Sequence, residues 1–249
     1  MTYYDYHYKV NTRDTDPFNQ CRPSAMLGLL QEAATEAAIA LHVSREETLE
    51  KYHCFWMLAR LWYRLDRPLH WDEALTVRTW HRGGRGASVY RDFDLFVEGV
   101  PVGEAVSTWV LADVDTHKLF RLSHVAEFAG SDGGALCKDH LLGKLRLPGN
   151  MELAERRRMH YSDADVNRHV NNSKYADFAC DALELETLGA WHFVSSLQVG
   201  FLAECRPGET IDIYTGRDGE TWYAHGCDGA GKSRFDAALT LAPAPETRS

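Results

Sequence analysis

Apolar positions along the chain form two helical stripes, each followed by a run of strands. Over residues 24–41, Met26, Leu29, Leu30, Ala33, Ala34, Ala37, Ala38 and Leu41 recur at i, i+3, i+4, i+7 spacing, which sets them on one face of an α-helix. A second helix is predicted over 172–185, with Tyr175, Phe178, Ala179, Ala182 and Leu183 on the apolar face and Lys174, Asp177, Asp181 and Glu184 toward water. Runs with strand character follow the first helix at 55–65, 75–80, 89–97 and 102–114, and the second at 193–202, 210–215, 221–227 and 233–241. Gly99 and Gly229 fall where hairpin turns are expected.

The two runs are related by duplication. Asp14-Thr15-Asp16 matches Asp163-Ala164-Asp165 at an offset of 149, which also carries Ser24 onto Ser173. Trp71-Asp72-Glu73-Ala74-Leu75 matches Pro207-Gly208-Glu209-Thr210-Ile211 at an offset of 136, so the first half is longer after its helix, around 43–54. A helix followed by antiparallel strands, done twice, is an α+β plan in which each sheet wraps a helix. One such unit leaves a sheet edge and a helix face uncovered, so the two are expected to pair side by side. The glycine-rich stretch Gly130-Ser131-Asp132-Gly133-Gly134 marks the boundary: 1–130, a connector 131–150 crossing the outside of the sheet, and 151–249.

Composition narrows the function. With 249 residues, 45% of them hydrophobic and 25% charged, the chain can bury one large core or two small ones. No apolar run reaches the roughly 18 to 20 residues of a membrane helix, and residues 1–8 are polar and aromatic rather than a signal peptide, so a cytoplasmic protein without a membrane partner is expected. The six cysteines are scattered without a Cys-x-x-Cys pair and read as free thiols. A net charge of -9 argues against nucleic acid. Arg78, Arg82, Arg85 and Arg91 still form one basic cluster, and Arg156, Arg157 and Arg158 another, each either a solvated surface or a contact for an acidic protein. No Gly-x-Ser-x-Gly elbow, His-Glu-x-x-His helix or phosphate loop is present, and Gly83-Gly84-Arg85-Gly86 reads as a turn. The twelve histidines show no metal-ligand spacing, so neither metal nor cofactor is expected.

Chemistry concentrates in Asp163-Ala164-Asp165-Val166-Asn167-Arg168-His169-Val170-Asn171-Asn172, directly before the second helix. Such a string can serve only as a turn and helix cap. The first-half counterpart keeps Asp16 but has Phe18 in place of Asn167 and Gln20 in place of His169, so capping does not require the polar pair. Asp-x-Asn-x-His-Val-Asn-Asn followed by Lys-Tyr, with Glu204-Cys205 some thirty residues on, resembles the acyl-acyl-carrier-protein (acyl-ACP) thioesterases of plastids and bacteria, over nearly the whole chain. The resemblance implies a tandem double hot-dog fold, hydrolysis of a fatty acyl-ACP thioester, and Asp165, Asn167, His169 and Glu204 as catalytic residues.

That set suits thioester hydrolysis: a carboxylate can orient and deprotonate water, a neutral amide can fix the water or donate to the oxyanion, and a histidine can act as base or donor. Glu204 is expected to act with His169 on the water, while Asp165 either positions Asn167 or is itself a nucleophile. Cys205 offers an alternative cysteine-histidine nucleophile, but neighbours on an extended segment point to opposite faces, so Glu204 and Cys205 cannot both meet His169 there. The resemblance places the acyl tail in the N-terminal half, with Met26, Leu30, Trp56 and Met57 as lining candidates. Acyl carrier proteins are acidic, which makes Arg82, Arg85, Arg156, Arg157 and Arg158 the docking candidates for a carrier bearing a fatty acyl-phosphopantetheine. The assembly expected is a monomer or a homodimer of double hot-dogs. Rival readings are an acyl- or aryl-coenzyme A thioesterase of the same fold, and a non-catalytic acyl-binding protein.

Overall fold

A computed structural model describes residues 3–121, 124–125 and 142–245. They cluster into two compact units: the first takes the described parts of Met1–Lys9, Leu29–Tyr63 and Ala74–Leu142, the second those of Val10–Gly28, Arg64–Glu73 and Gly143–Ser249. The glycine-rich boundary at 130–134 and Cys137 lie outside the described residues.

The first half of the chain runs through β1 (Tyr4–Lys9), α1 (Pro23–Ala40), α2 (Arg45–Tyr52), β2 (Cys54–Leu65), β3 (Ala74–Arg85), β4 (Ser88–Val97), β5 (Val100–Asp113) and the short β6 (Leu119–Phe120), all in the first unit except residues 23–28 and 64–65. The sheet order is β1-β3-β4-β5-β2, with β6 on β5. The stripe predicted for α1 is the buried one: Met26, Leu30 and Ala33 are fully buried and Ala37 nearly so. The extra length after α1 is α2, started by a capping box in which the Glu47 amide donates to Ser44 Oγ (3.2 Å) and the Ser44 amide to Glu47 Oε2 (2.9 Å). Gly83-Gly84-Arg85-Gly86 is not the turn expected. β3 runs on through Gly83 and Gly84 across a bulge, because Gly83 takes a positive φ of 98° and its amide donates to His81 Nδ1 (3.0 Å), so the turn falls at Gly86–Ala87.

The second unit repeats the plan with β7 (Glu152–Arg158), α3 (Lys174–Ala182), β8 (His192–Phe201), β9 (Thr210–Asp218), β10 (Thr221–Asp228) and β11 (Ser233–Pro243), in the order β7-β9-β10-β11-β8. Strand for strand this is the order of the first unit. The hydrophobic pattern missed β1 and β7, the edge strands. Tyr4, Tyr6 and Tyr8 alternate with charged residues, and β7 is Glu- and Arg-rich, as suits an edge that must not recruit other strands.

The core of this unit fixes the start of α3. Tyr175, Phe178 and Ala179 are buried, and the Tyr175 ring packs on Phe235 (centroids 5.1 Å) and Phe178 (5.8 Å). Gly226 lies opposite Phe235 on the neighbouring strand, and a Cβ there would overlap the Phe235 ring. A glycine therefore seats the aromatic that seats the helix.

Candidate active site

The loop 163–171 precedes α3 and is shaped by its own backbone. The Asn171 amide donates to Asp163 O (2.8 Å), Asp165 to His169 O (2.9 Å), and Arg168 to Asp165 O (2.9 Å). The Val170 amide donates to Cys205 O (2.8 Å), which ties the loop to the stretch that follows β8. Asp165 serves the turn: Oδ1 accepts the Asn167 amide at 2.8 Å, and Asn171 Nδ2 reaches Oδ2 at 3.5 Å. Asn171 Oδ1 in turn accepts the Ser173 amide (2.9 Å) and hydroxyl (2.8 Å), closing the N-terminus of α3. In the sequence Asn171 stands only as the first of the two asparagines that close the motif.

This frame brings together two side chains far apart in sequence. His169 Nε2 lies 3.1 Å from Glu204 Oε2, with side-chain exposures of 28% and 54%. Both are open enough to meet water or a substrate carbonyl. Glu204 follows the end of β8, outside any strand, yet it and Cys205 do face apart: Glu204 meets His169, and Cys205 is fully buried. Burial pushes the Cys205 thiol up, against the thiolate a nucleophile needs. Asn167 is exposed at the loop tip.

The first-half loop, 14–22, lies in the same unit with the same backbone pattern. The Asp16 amide donates to Gln20 O (2.8 Å), Arg22 to Asp14 O (2.8 Å) and Cys21 to Leu69 O (2.7 Å). Asp16 Oδ1 accepts the amides of Phe18 and Gln20, each at 2.9 Å. Where the other loop has the His169–Glu204 pair, this one has Gln20 and Pro68, and Gln20 Nε2 donates to His192 O (3.1 Å) and Ala190 O (3.4 Å). A cleft of about 570 Å³ opens beside it, lined among others by Phe18, Gln20, Asp177 and Phe178. None of Met26, Leu30, Trp56 and Met57 lines that cleft. Met26 and Leu30 are fully buried, Trp56 is half-buried with Nε1 donating to Val43 O (2.8 Å), and Met57 is exposed.

Most of the arginines singled out in the sequence are engaged within the protein. Arg82 Nε sits 3.6 Å from Asp92 Oδ1 and its guanidinium lies over the Tyr90 ring (5.3 Å). Arg156 makes a two-pronged pair with Asp212 (2.6 and 2.9 Å). Arg157 is held by Glu155 and Asp181, each at 2.8 Å, and stacks on Phe178 (4.7 Å). Arg158 is exposed, and the Arg85 side chain lies outside the described residues. Among the described residues no helix is long and apolar enough to cross a membrane.

Family models for the acyl-ACP thioesterase N-terminal domain and C-terminal domain match residues 1–127 and 150–233. The chain belongs to the acyl-ACP thioesterase family. It is 24% identical over 208 residues to the chloroplastic oleoyl-ACP thioesterase of Coriandrum sativum, covering 75% of this chain and 55% of that protein. It is 26% identical over 216 residues to the chloroplastic palmitoyl-ACP thioesterase of Gossypium hirsutum, covering 83% and 49%. The chain thus spans about half the length of these plant relatives. Its fold, the tandem double hot-dog, is shared with an acyl-ACP thioesterase from Bacteroides thetaiotaomicron (TM-score 0.87, 18% identity, 96% of this chain and 98% of that one) and with the 12:0-ACP thioesterase of Umbellularia californica (TM-score 0.84, 19% identity, 97% of each).

Proposed function

We propose that the protein hydrolyses a fatty acyl-ACP thioester to the free fatty acid and the carrier thiol, at the loop 163–171. The observation that carries this reading is the His169–Glu204 contact of 3.1 Å, present in one loop and replaced by Gln20 and Pro68 in its structural twin. Family membership and the plant relatives named for acyl-ACP substrates support the same class of reaction. His169 and Glu204 hold the attacking water and take its proton; the thiolate is a good leaving group, so little acid assistance is required. Asn167, presented at the tip by Asp165, contributes its amide to the water or the oxyanion, and the N-terminal amides of α3 add partial positive charge nearby. Asp165 acts here as a positioning carboxylate, since both its oxygens serve the turn. Cys205 packs as a small apolar residue.

The acyl tail is assigned to the N-terminal half, with Trp56 and Met57 on β2 and Met26 and Leu30 on α1 as the residues whose size selects chain length. The test is hydrolysis of ACP thioesters of graded chain length beside the matched coenzyme A thioesters. Faster turnover of the coenzyme A series would replace the carrier-protein reading with the acyl- or aryl-coenzyme A one. Binding of both without release of free acid would leave an acyl-binding protein.

A further inference from the structure

The twin loops differ at two positions that the hydrolytic residues do not account for. Arg168 has a φ of 65°, the left-handed region, which costs a branched or long side chain about 1 kcal/mol or more and favours glycine or asparagine. Its structural twin is Asn19, at φ 61°, whose Oδ1 accepts the Trp71 amide (3.2 Å) and whose carbonyl accepts His70 Nδ1 (2.8 Å). Arg206 is the twin of His70. In the first half these positions therefore tie the loop to the stretch at residues 70–71. In the second they are both arginines, both exposed, and neither makes an ion pair among the described residues. They flank the His169–Glu204 contact, Arg168 directly before His169 and Arg206 two residues after Glu204.

Each acid around them also makes a contact within the protein. Asp163 Oδ2 accepts the His160 amide (2.7 Å), Asp165 the Asn167 amide, Glu209 Oε2 the Arg206 amide (3.0 Å), and Glu204 faces His169. Beside these carboxylates the same stretches expose Arg158, Arg168 and Arg206, together with Val166 and Tyr161, each 93% exposed. On a chain of net charge -9, an exposed cationic rim at the reactive loop is a site for an acidic macromolecule.

We infer that Arg168 and Arg206, with Arg158, Val166 and Tyr161, form the docking surface for the acidic carrier protein, around the loop that receives its acyl group. The inference rests on the thioesterase reading above and relocates docking away from Arg82, which is largely buried beside Asp92, and from Arg156 and Arg157, which are held in internal ion pairs.

The deciding variant is Arg168→Asn, because asparagine is the residue the twin loop uses at this backbone geometry. It is expected to keep or raise Tm while raising KM for acyl-ACP, and Arg168→Asn with Arg206→Gln should raise that KM by roughly tenfold at low salt and flatten its salt dependence. Turnover of a short acyl-pantetheine should be unchanged, and Arg217→Gln, an exposed cation of the same unit stacked on Trp222, should change neither. An unchanged KM for acyl-ACP, or equal losses on both substrates, would overturn the inference. If the wild type hydrolyses neither substrate, the hydrolase reading fails by itself. Calorimetric binding of holo-ACP to the wild type and the double variant then decides docking: weaker binding by the variant upholds it, equal binding ends it.

Discussion

The loops 14–22 and 163–171 share one scaffold and divide its uses. In each, an aspartate turned back onto the backbone holds the bend, a backbone amide pins the loop to the stretch after a long strand (Cys21 to Leu69 O, Val170 to Cys205 O), and the residue before the pin is held by the bend. At that residue the loops part. Gln20 turns its amide onto the carbonyls of residues 190 and 192, whereas His169 turns toward Glu204. What both loops keep is the aspartate-held bend, and what only one has is the His169–Glu204 contact. On the proposed reading, Asp165 serves the bend, and His169 with Glu204 serves the reaction.

The strongest way to break this comparison is to make the second loop resemble the first. His169→Gln should lower kcat by at least about a hundredfold in a folded protein, and Glu204→Ala should do nearly as much, as expected for loss of a general base. Near-normal turnover by either variant would remove the pair from the mechanism. A middling effect is expected at the shared aspartates. Asp16→Ala and Asp165→Ala should each cost stability of about 1 to 2 kcal/mol through lost side-chain-to-backbone bonds, but only Asp165→Ala should also lower kcat. Urea unfolding beside single-turnover rates reads both, and an Asp165→Ala variant that is inactive yet fully stable would point to a nucleophilic carboxylate instead.

A pH test separates the loops from the rest of the molecule. Asp92 on β4 is fully buried beside Arg82, and burial pushes its carboxyl up from 3.8 to about 7. A folded-state pKa above the unfolded one means stability fully present below 3.8 and lost as pH rises through about 7, by a few kcal/mol at most. Urea midpoints should therefore fall between pH 5 and pH 8 in the wild type and much less in Asp92→Asn. An unchanged slope in that variant would trace the pH dependence to other groups, the loops included. The smallest effect is expected at Cys205. Cys205→Ala should keep most of the activity that Glu204→Ala loses, and no acyl-cysteine should be trapped by mass spectrometry.

The sequence alone was enough for the helical stripe and for the duplication. The apolar stripe through Met26, Leu30 and Ala33 is set by the 3.6-residue helical period, and the acidic triplets at 14–16 and 163–165 declared the duplication because a bend of this kind needs an aspartate in each copy. The edge strands β1 and β7 were invisible, since a strand that shows one side to water can be built from Glu, Arg and Tyr and is defined by the backbone of its neighbour. Tertiary structure alone decided which charges are available. Arg82, Arg156 and Arg157 look like free surface cations in the string of letters, but Asp92, Asp212 and Asp181 face them from neighbouring strands and a helix. Arg168 and Arg206 are exposed, and neither makes an ion pair among the described residues. The 3.1 Å approach of His169 to Glu204 is of the same kind. It spans thirty-five positions and depends on a backbone hydrogen bond from Val170 to Cys205, a contact that only the folded chain can make.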